Sequence, residues 1–153
     1  MQYALRVLGY RARSEREMRH KLERKGFSPR LTDLTLMELT RLGLLDDREF
    51  ARNWVSVRTA YGPVRLRYEL RQKGIDPALA EEMIGTLRSE EDDAATAWRL
   101  ARKAQRGEAV AGDRAVVLRI RRLLQRRGFA RAVIERVCSR LRALSGDDEG
   151  WPE

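Results

Sequence analysis

The apolar positions of this 153-residue chain fall into one pattern that occurs three times. In residues 18 to 39, Met18 and Leu22 stand four apart before Gly26, and Phe27, Leu31, Leu36 and Leu39 follow it, with polar residues between. A shift of 48 positions lays this block on residues 66 to 87, and a further 54 lays it on residues 120 to 141, with no internal gap. The apolar positions then become Leu66, Leu70, Ile75, Leu79, Ile84 and Leu87, and Ile120, Leu124, Phe129, Val133, Cys138 and Leu141. A spacing of four before the glycine, and of five and three after it, predicts two amphipathic helices joined by a tight turn.

The turn has its own chemistry. Gly26, Gly74 and Gly128 each follow a basic residue at a helix end, where a left-handed backbone closes the helix and glycine adopts it without a side-chain clash. Lys25, Lys73 and Arg127 sit beside the negative end of the helix dipole. Ser28-Pro29 and Asp76-Pro77 read as an N-cap followed by a first-turn proline, opening the next helix. In the third copy Ala130-Arg131 supplies no capping oxygen, so that helix start is expected to be weaker by about 1 kcal/mol.

A further helix precedes each pair: Tyr3 to Tyr10, Asp46 to Tyr61 and Glu90 to Gln105. Ser14 with Glu17 reads as a capping box for the first pair, Gly62-Pro63 opens the second, and Gly112-Asp113 opens the third. In the helix from Asp46, Asp46 and Glu49 are again box-like, and Phe50, Trp54 and either Val55 or Val57 face inward. The prediction is an all-α protein of three tandem three-helix repeats: residues 1–45, 46–88 and 89–144, followed by a loose acidic tail over 145–153. One repeat has too little apolar surface to stand alone, so neighbours are expected to stack into an elongated, curved array, with 106–112 as a flexible connection.

Composition supports helices and narrows the chemistry. Hydrophobic residues at 42% suffice for a folded core, and 36% charged residues imply long solvated helix faces. A net charge of +9 draws the chain toward polyanions. Lone Cys138 lies at the repeat position of Leu36 and Ile84, hence a packing thiol, and lone His20 between Arg19 and Lys21 reads as solvated. One cysteine and one histidine leave no zinc pair, so no metal and no cofactor are expected. Asp46-Asp47 is better explained by capping than by carboxylate catalysis, and the EEDD run from Glu90 by the helix dipole. No phosphate loop, dinucleotide fingerprint or nucleophile elbow occurs, so the chain is read as no enzyme. No apolar run is long enough to span a bilayer and no secretion signal is present; a cytoplasmic monomer is expected.

The basic residues are unevenly spread. Residues 1–45 sum to +5, 46–88 to +1 and 113–144 to +8. Along the middle helix of each repeat they recur away from Leu22, Leu70 and Leu124. The candidate binding surface is therefore Arg19, Lys21, Arg24 and Lys25 in the first copy, Arg65, Arg67, Arg71 and Lys73 in the second, and Arg119, Arg121, Arg122, Arg126 and Arg127 in the third. Periodic cations can meet the periodic charge of nucleic acid or of an acidic protein polymer. Tyr61 and Tyr68 are read as packing between helices, so base-specific readout is not expected. Gly26, Gly74, Gly128, Asp46, Trp54 and Pro63 are assigned structural roles.

The stretches ARSEREMRHKLERKGFSPRL, LGLLDDREFARNWV and GPVRLRYELRQKGIDPAL resemble the characteristic blocks of the RecX family, bacterial regulators of the recombinase RecA. The similarity runs from about Ala4 to Leu144 and is strongest over residues 12 to 85; the connection after Gln105 and Ala130-Arg131 depart from the family pattern. The resemblance implies tandem three-helix repeats that bind in the groove of the RecA–DNA filament. It also implies inhibition of RecA's ATP hydrolysis and strand exchange, by blocked extension or promoted disassembly. Single- or double-stranded DNA would be a weaker partner and a membrane none. The residues alone leave a second reading open, a stand-alone basic nucleic-acid binder with helix-turn-helix-like repeats.

Overall fold

The computed structural model describes residues 1–105 and 114–144. The expected connection at 106–112, the Gly112-Asp113 helix start and the acidic tail at 145–153 lie outside the described residues. Nine helices and no strands occur among those described: α1 (Gln2–Tyr10), α2 (Glu15–Arg24), α3 (Pro29–Arg41), α4 (Asp47–Val57), α5 (Pro63–Gln72), α6 (Pro77–Leu87), α7 (Glu90–Gln105), α8 (Arg114–Arg127) and α9 (Arg131–Ala143).

The turn chemistry works as the sequence predicts. Gly26, Gly74 and Gly128 have φ of 94°, 79° and 78°, and Gly43, after α3, is a fourth left-handed glycine. Ser28 Oγ accepts from the Leu31 amide at 3.4 Å, and Asp76 Oδ1 accepts from Ala78 and Leu79 at 2.9 and 3.2 Å. Ala130 has the extended backbone of an N-cap and makes no capping bond. Ala130→Ser is expected to stabilise the protein by about 1 kcal/mol, read as a higher urea midpoint.

Two of the expected capping boxes are half-boxes. Ser14 Oγ accepts from the Glu17 amide and Asp46 Oδ1 from the Arg48 and Glu49 amides, but the Glu17 and Glu49 carboxylates turn to side chains instead. The reciprocal box is at α7, where Ser89 Oγ accepts from the Asp92 amide at 3.1 Å and Asp92 Oδ2 accepts from the Ser89 amide at 3.0 Å. Asp47 also finds a partner, accepting from the Glu15 amide at 2.8 Å, and burial pushes its carboxyl up. Adjacent aspartates thus cap two different helices, α4 and α2.

Residues Met1–Val57 with Arg67–Leu87 form one compact unit, and Arg58–Leu66 with the described residues from Arg88 onward form a second. In the first unit Ala4 and Val7 of α1 pack with Met18, Leu22, Leu36, Leu39 and Leu45, while α4 packs on α6. In the second, α7, α8 and α9 enclose Ala97, Ala101, Ile120, Leu124, Phe129, Val133, Cys138 and Leu141. Cys138 is fully buried, and its thiol is pushed up by that burial.

Some apolar positions point outward. Leu31 is 46% exposed, whereas its third-repeat equivalent Val133 is buried beside a 16-residue α7; α1, with nine residues, gives α3 less cover. Leu87 is also partly exposed. In α4 the inward valine is Val55, at 2% exposure against 77% for Val57. That helix stops at Val57 and does not continue to Tyr61. The Tyr61 carbonyl accepts from Arg88, and the Gly62 amide donates to the Arg127 carbonyl at 2.8 Å. Those tertiary bonds satisfy the backbone groups of Tyr61 and Gly62 outside any helix.

One docking joint is used twice. In the first unit Ser14 Oγ donates to the Lys73 carbonyl at 2.6 Å, and the Arg16 stem lies where a Cβ on Gly74 would fall, 2.2 Å from Cδ. In the second, the Gly62 and Val64 amides donate to the Arg127 and Gly128 carbonyls, and the Arg65 backbone lies against Gly128. Each time, the start of one middle helix caps the end of the middle helix in the next repeat. Around Gly26 nothing lies within 4 Å of the Cβ position.

Candidate functional site

The thirteen basic residues singled out on the middle helices differ in what holds them. Arg19, Arg67 and Arg121, at equivalent positions, each pair with a carboxylate 14 residues onward: Arg19 with Asp33 at 2.5 Å, Arg67 with Glu81, and Arg121 with Glu135 at 2.7 Å. These pairs tie α2 to α3, α5 to α6 and α8 to α9. Reversing Arg67 or Arg121 would set like charges against each other inside a repeat, so these positions serve the fold as well as the surface.

Other candidates are held by aromatic rings or carbonyls. Lys25 Nζ lies 5.8 Å from the Tyr3 ring centre, and Arg65 and Arg127 lie 6.0 and 5.0 Å from that of Tyr61. Arg58 joins the same ring at 5.8 Å, so Tyr61 is the hub of a cationic nest. Tyr68, expected to be packed, is 55% exposed. Arg119 donates to the Ala104 carbonyl at 3.0 Å. Arg71, Arg122 and Arg126 are exposed on their helices.

Lys21, Arg24 and Lys73 are brought together. With Arg13, Arg16, Glu17, His20 and Gln72 they line a cleft of about 240 Å³ in the first unit, where α2 meets the end of α5. Ser14 and Gly74 set the geometry: the serine fixes the α2 start against the Lys73 carbonyl, and the missing Cβ admits the Arg16 stem. Arg13, Arg16, Lys21 and Arg24 form no ion pair among the described residues, and Arg13 Nε is buried without a hydrogen-bond partner.

Glu17 is the one carboxylate in the cleft. Arg11 donates to it through two bonds of 2.9 Å and Lys73 Nζ through one of 2.6 Å. Burial alone would raise its pKa, but the Arg11 and Lys73 hydrogen bonds prevail and hold it at about 2. It therefore stays an anion throughout the neutral range. Lys73 also sits 5.1 Å from the Trp54 ring centre, and Trp54 Nε1 donates to Glu69 at 3.1 Å while its ring stacks on Phe50.

Sequence reasoning missed Arg13 and Arg16 because they precede the repeated block, which begins at Met18. The available signal was their nearness to Ser14: residues flanking an N-cap lie beside whatever the cap docks on. In the second unit a cleft of about 430 Å³ between α7 and α9 is lined in part by Trp98, with the Arg140 guanidinium 4.1 Å from the ring centre. Among the described residues no group of His, Cys, Asp and Glu could hold a metal ion, and no helix is long and apolar enough to cross a membrane.

Helix triplets, a docking joint used twice and cations gathered on middle helices define a helical-repeat protein with a cationic surface. Family models for the first and second three-helix domains of RecX match residues 1–39 and 46–84. A regulatory protein RecX of Halorhodospira halophila is 36% identical over 97% of this chain and 90% of its own length. One from Legionella pneumophila is 37% identical over 88% and 89%. The crystal structure of RecX from Lactobacillus salivarius superposes with a TM-score of 0.82 at 24% identity, over 92% of each chain. This chain belongs to the RecX family of regulatory proteins, which are regulators and not enzymes.

Proposed function

We propose that the chain is a cytoplasmic regulator of RecA that binds the RecA–DNA filament and restrains its ATP hydrolysis and strand exchange, by blocking filament extension or promoting disassembly. Bare single- or double-stranded DNA is the weaker partner. Family membership supports the target. The observation that carries the binding mode is the α2–α5 cleft, where, among the described residues, four cations without ion pairs and Lys73 face a single carboxylate. Such a cluster attracts a polyanion at long range and adds to affinity through several weak contacts held by one rigid frame.

The test titrates RecA's ATPase with the protein, beside binding to bare DNA. Arg13→Glu with Arg24→Glu is the informative variant, because neither side chain forms an ion pair among the described residues. Inhibition is expected to need about tenfold more protein or greater, with helicity retained. Inhibition at the wild-type concentration would remove the cleft from the binding surface. Equal affinity for bare DNA and filament, with no effect on ATPase, would favour the stand-alone nucleic-acid binder instead.

A further inference from the structure

Glu17 is oddly placed for a cleft that gathers cations, since its carboxylate takes Lys73 and Arg11 out of circulation. The Lys73 ammonium reaches it at 2.6 Å and is only 25% exposed. An incoming anion meets Arg13, Arg16, Lys21 and Arg24 directly, but meets Lys73 only by competing with Glu17. Resting on the reading that this cleft faces the filament, we propose that it is a nucleic-acid phosphodiester site in which Glu17 is a resident anion that a backbone phosphate displaces from Lys73.

The lining favours phosphate over an acidic protein surface. Protein hot spots centre on Trp, Tyr and Arg in desolvated pockets; among the described residues this cleft offers arginines but no apolar or aromatic side chain to anchor a protein partner. Arginine forks suit the two non-bridging oxygens of a phosphodiester, and lysine suits it as a point charge. Among the described residues no Phe, Tyr or Trp lines the cleft for base stacking, so the site reads the backbone and not the sequence. The displaced carboxylate does not become an orphan, because Arg11 still holds it through two hydrogen bonds. Glu17 thus sets a threshold: a lone weak anion does not open the pair, while a strand offering neighbouring phosphates to the four outer cations does.

The experiment compares the whole protein with Glu17→Gln, Lys73→Gln and the double variant, using a fluorescein-labelled oligothymidylate across a salt series, with RecA ATPase inhibition measured in parallel. Glu17→Gln is expected to bind the oligonucleotide roughly fivefold more tightly. Lys73→Gln is expected to bind more weakly, with a salt slope flatter by about 0.7, and to abolish the gain from Glu17→Gln. A gain that persists undiminished in the Lys73→Gln background would mean general charge and would overturn displacement. Unchanged or weaker binding by a folded Glu17→Gln protein would make the pair a clamp of the joint and overturn the proposal. If Glu17→Gln does not fold, Lys73→Gln decides alone, and an unaltered salt slope overturns it. Tighter binding to filament with unmoved oligonucleotide affinity would place protein in the cleft, sinking the phosphate assignment and leaving filament regulation intact. Loss of ATPase inhibition by the wild type would sink the regulator reading and leave the phosphate site standing.

Discussion

Gly128→Ala is expected to destabilise the second unit by about 3 kcal/mol or more. Two penalties add. The φ of 78° strains any residue with a Cβ, which is worth about 1 kcal/mol, and the new methyl would fall 2.4 Å from both the Arg65 nitrogen and its Cβ. The nitrogen belongs to the backbone of α5, so relief requires the helix to move. Its neighbour across the joint is as tight: a Cβ on Gly62 would lie 2.3 Å from the Gly128 oxygen. Gly26 supplies the internal control, with a φ of 94° and no atom within 4 Å of the Cβ position. Gly26→Ala should therefore lose only the conformational share, about 1 kcal/mol. Urea unfolding of the two variants by circular dichroism checks the difference; equal losses would show that the joint contributes strain alone and no close approach.

Asp93→Ala should be the most damaging change among the acidic residues. Asp93 and Arg88 form an ion pair whose side chains are 8% and 9% exposed, and Arg88 also donates to the Tyr61 carbonyl. Removing the carboxylate leaves a buried guanidinium without its counter-charge, a loss of about 3–5 kcal/mol. Asp92→Ala, its neighbour in sequence, removes only the reciprocal half of the α7 capping box, the bonds its carboxylate accepts from Ser89, and should lose about 1 kcal/mol or less. Thermal unfolding of both variants tests the order, and an Asp92 effect as large as that of Asp93 would contradict the burial argument. Arg88 also ties the stretch after α4 to the start of α7 within the second unit, through its bond to the Tyr61 carbonyl.

Both predictions concern features that local reasoning reads only in part. The EEDD run looks like four equivalent charges at a helix start, and helix polarity suits all four. Their separation into a cap, a buried partner and exposed residues depends on what packs against α7. Arg19, Arg67 and Arg121 are similar in kind. Their recurrence is visible in the repeat, but their pairing with Asp33, Glu81 and Glu135 requires the angle between two helices, which hydrophobic spacing does not specify. Leu31 and Leu87 keep the apolar type of their repeat positions where the cover differs. Tyr61 and Tyr68 show the same limit, since one becomes a hub for three arginines and the other is left half outside.

The helices, their order in triplets, the left-handed glycines and the caps at Ser28 and Asp76 are legible in the chain itself. These features depend on interactions within a few residues, or on a periodicity that the chain carries along its own length. Packing sets which cations gather in the α2–α5 cleft, which ones are neutralised inside a repeat, and that Glu17 faces Lys73 from 56 positions away. Charge and burial at such sites depend on atoms brought close only when one repeat docks on the next, and Coulomb and desolvation energies follow distance in space and not along the chain.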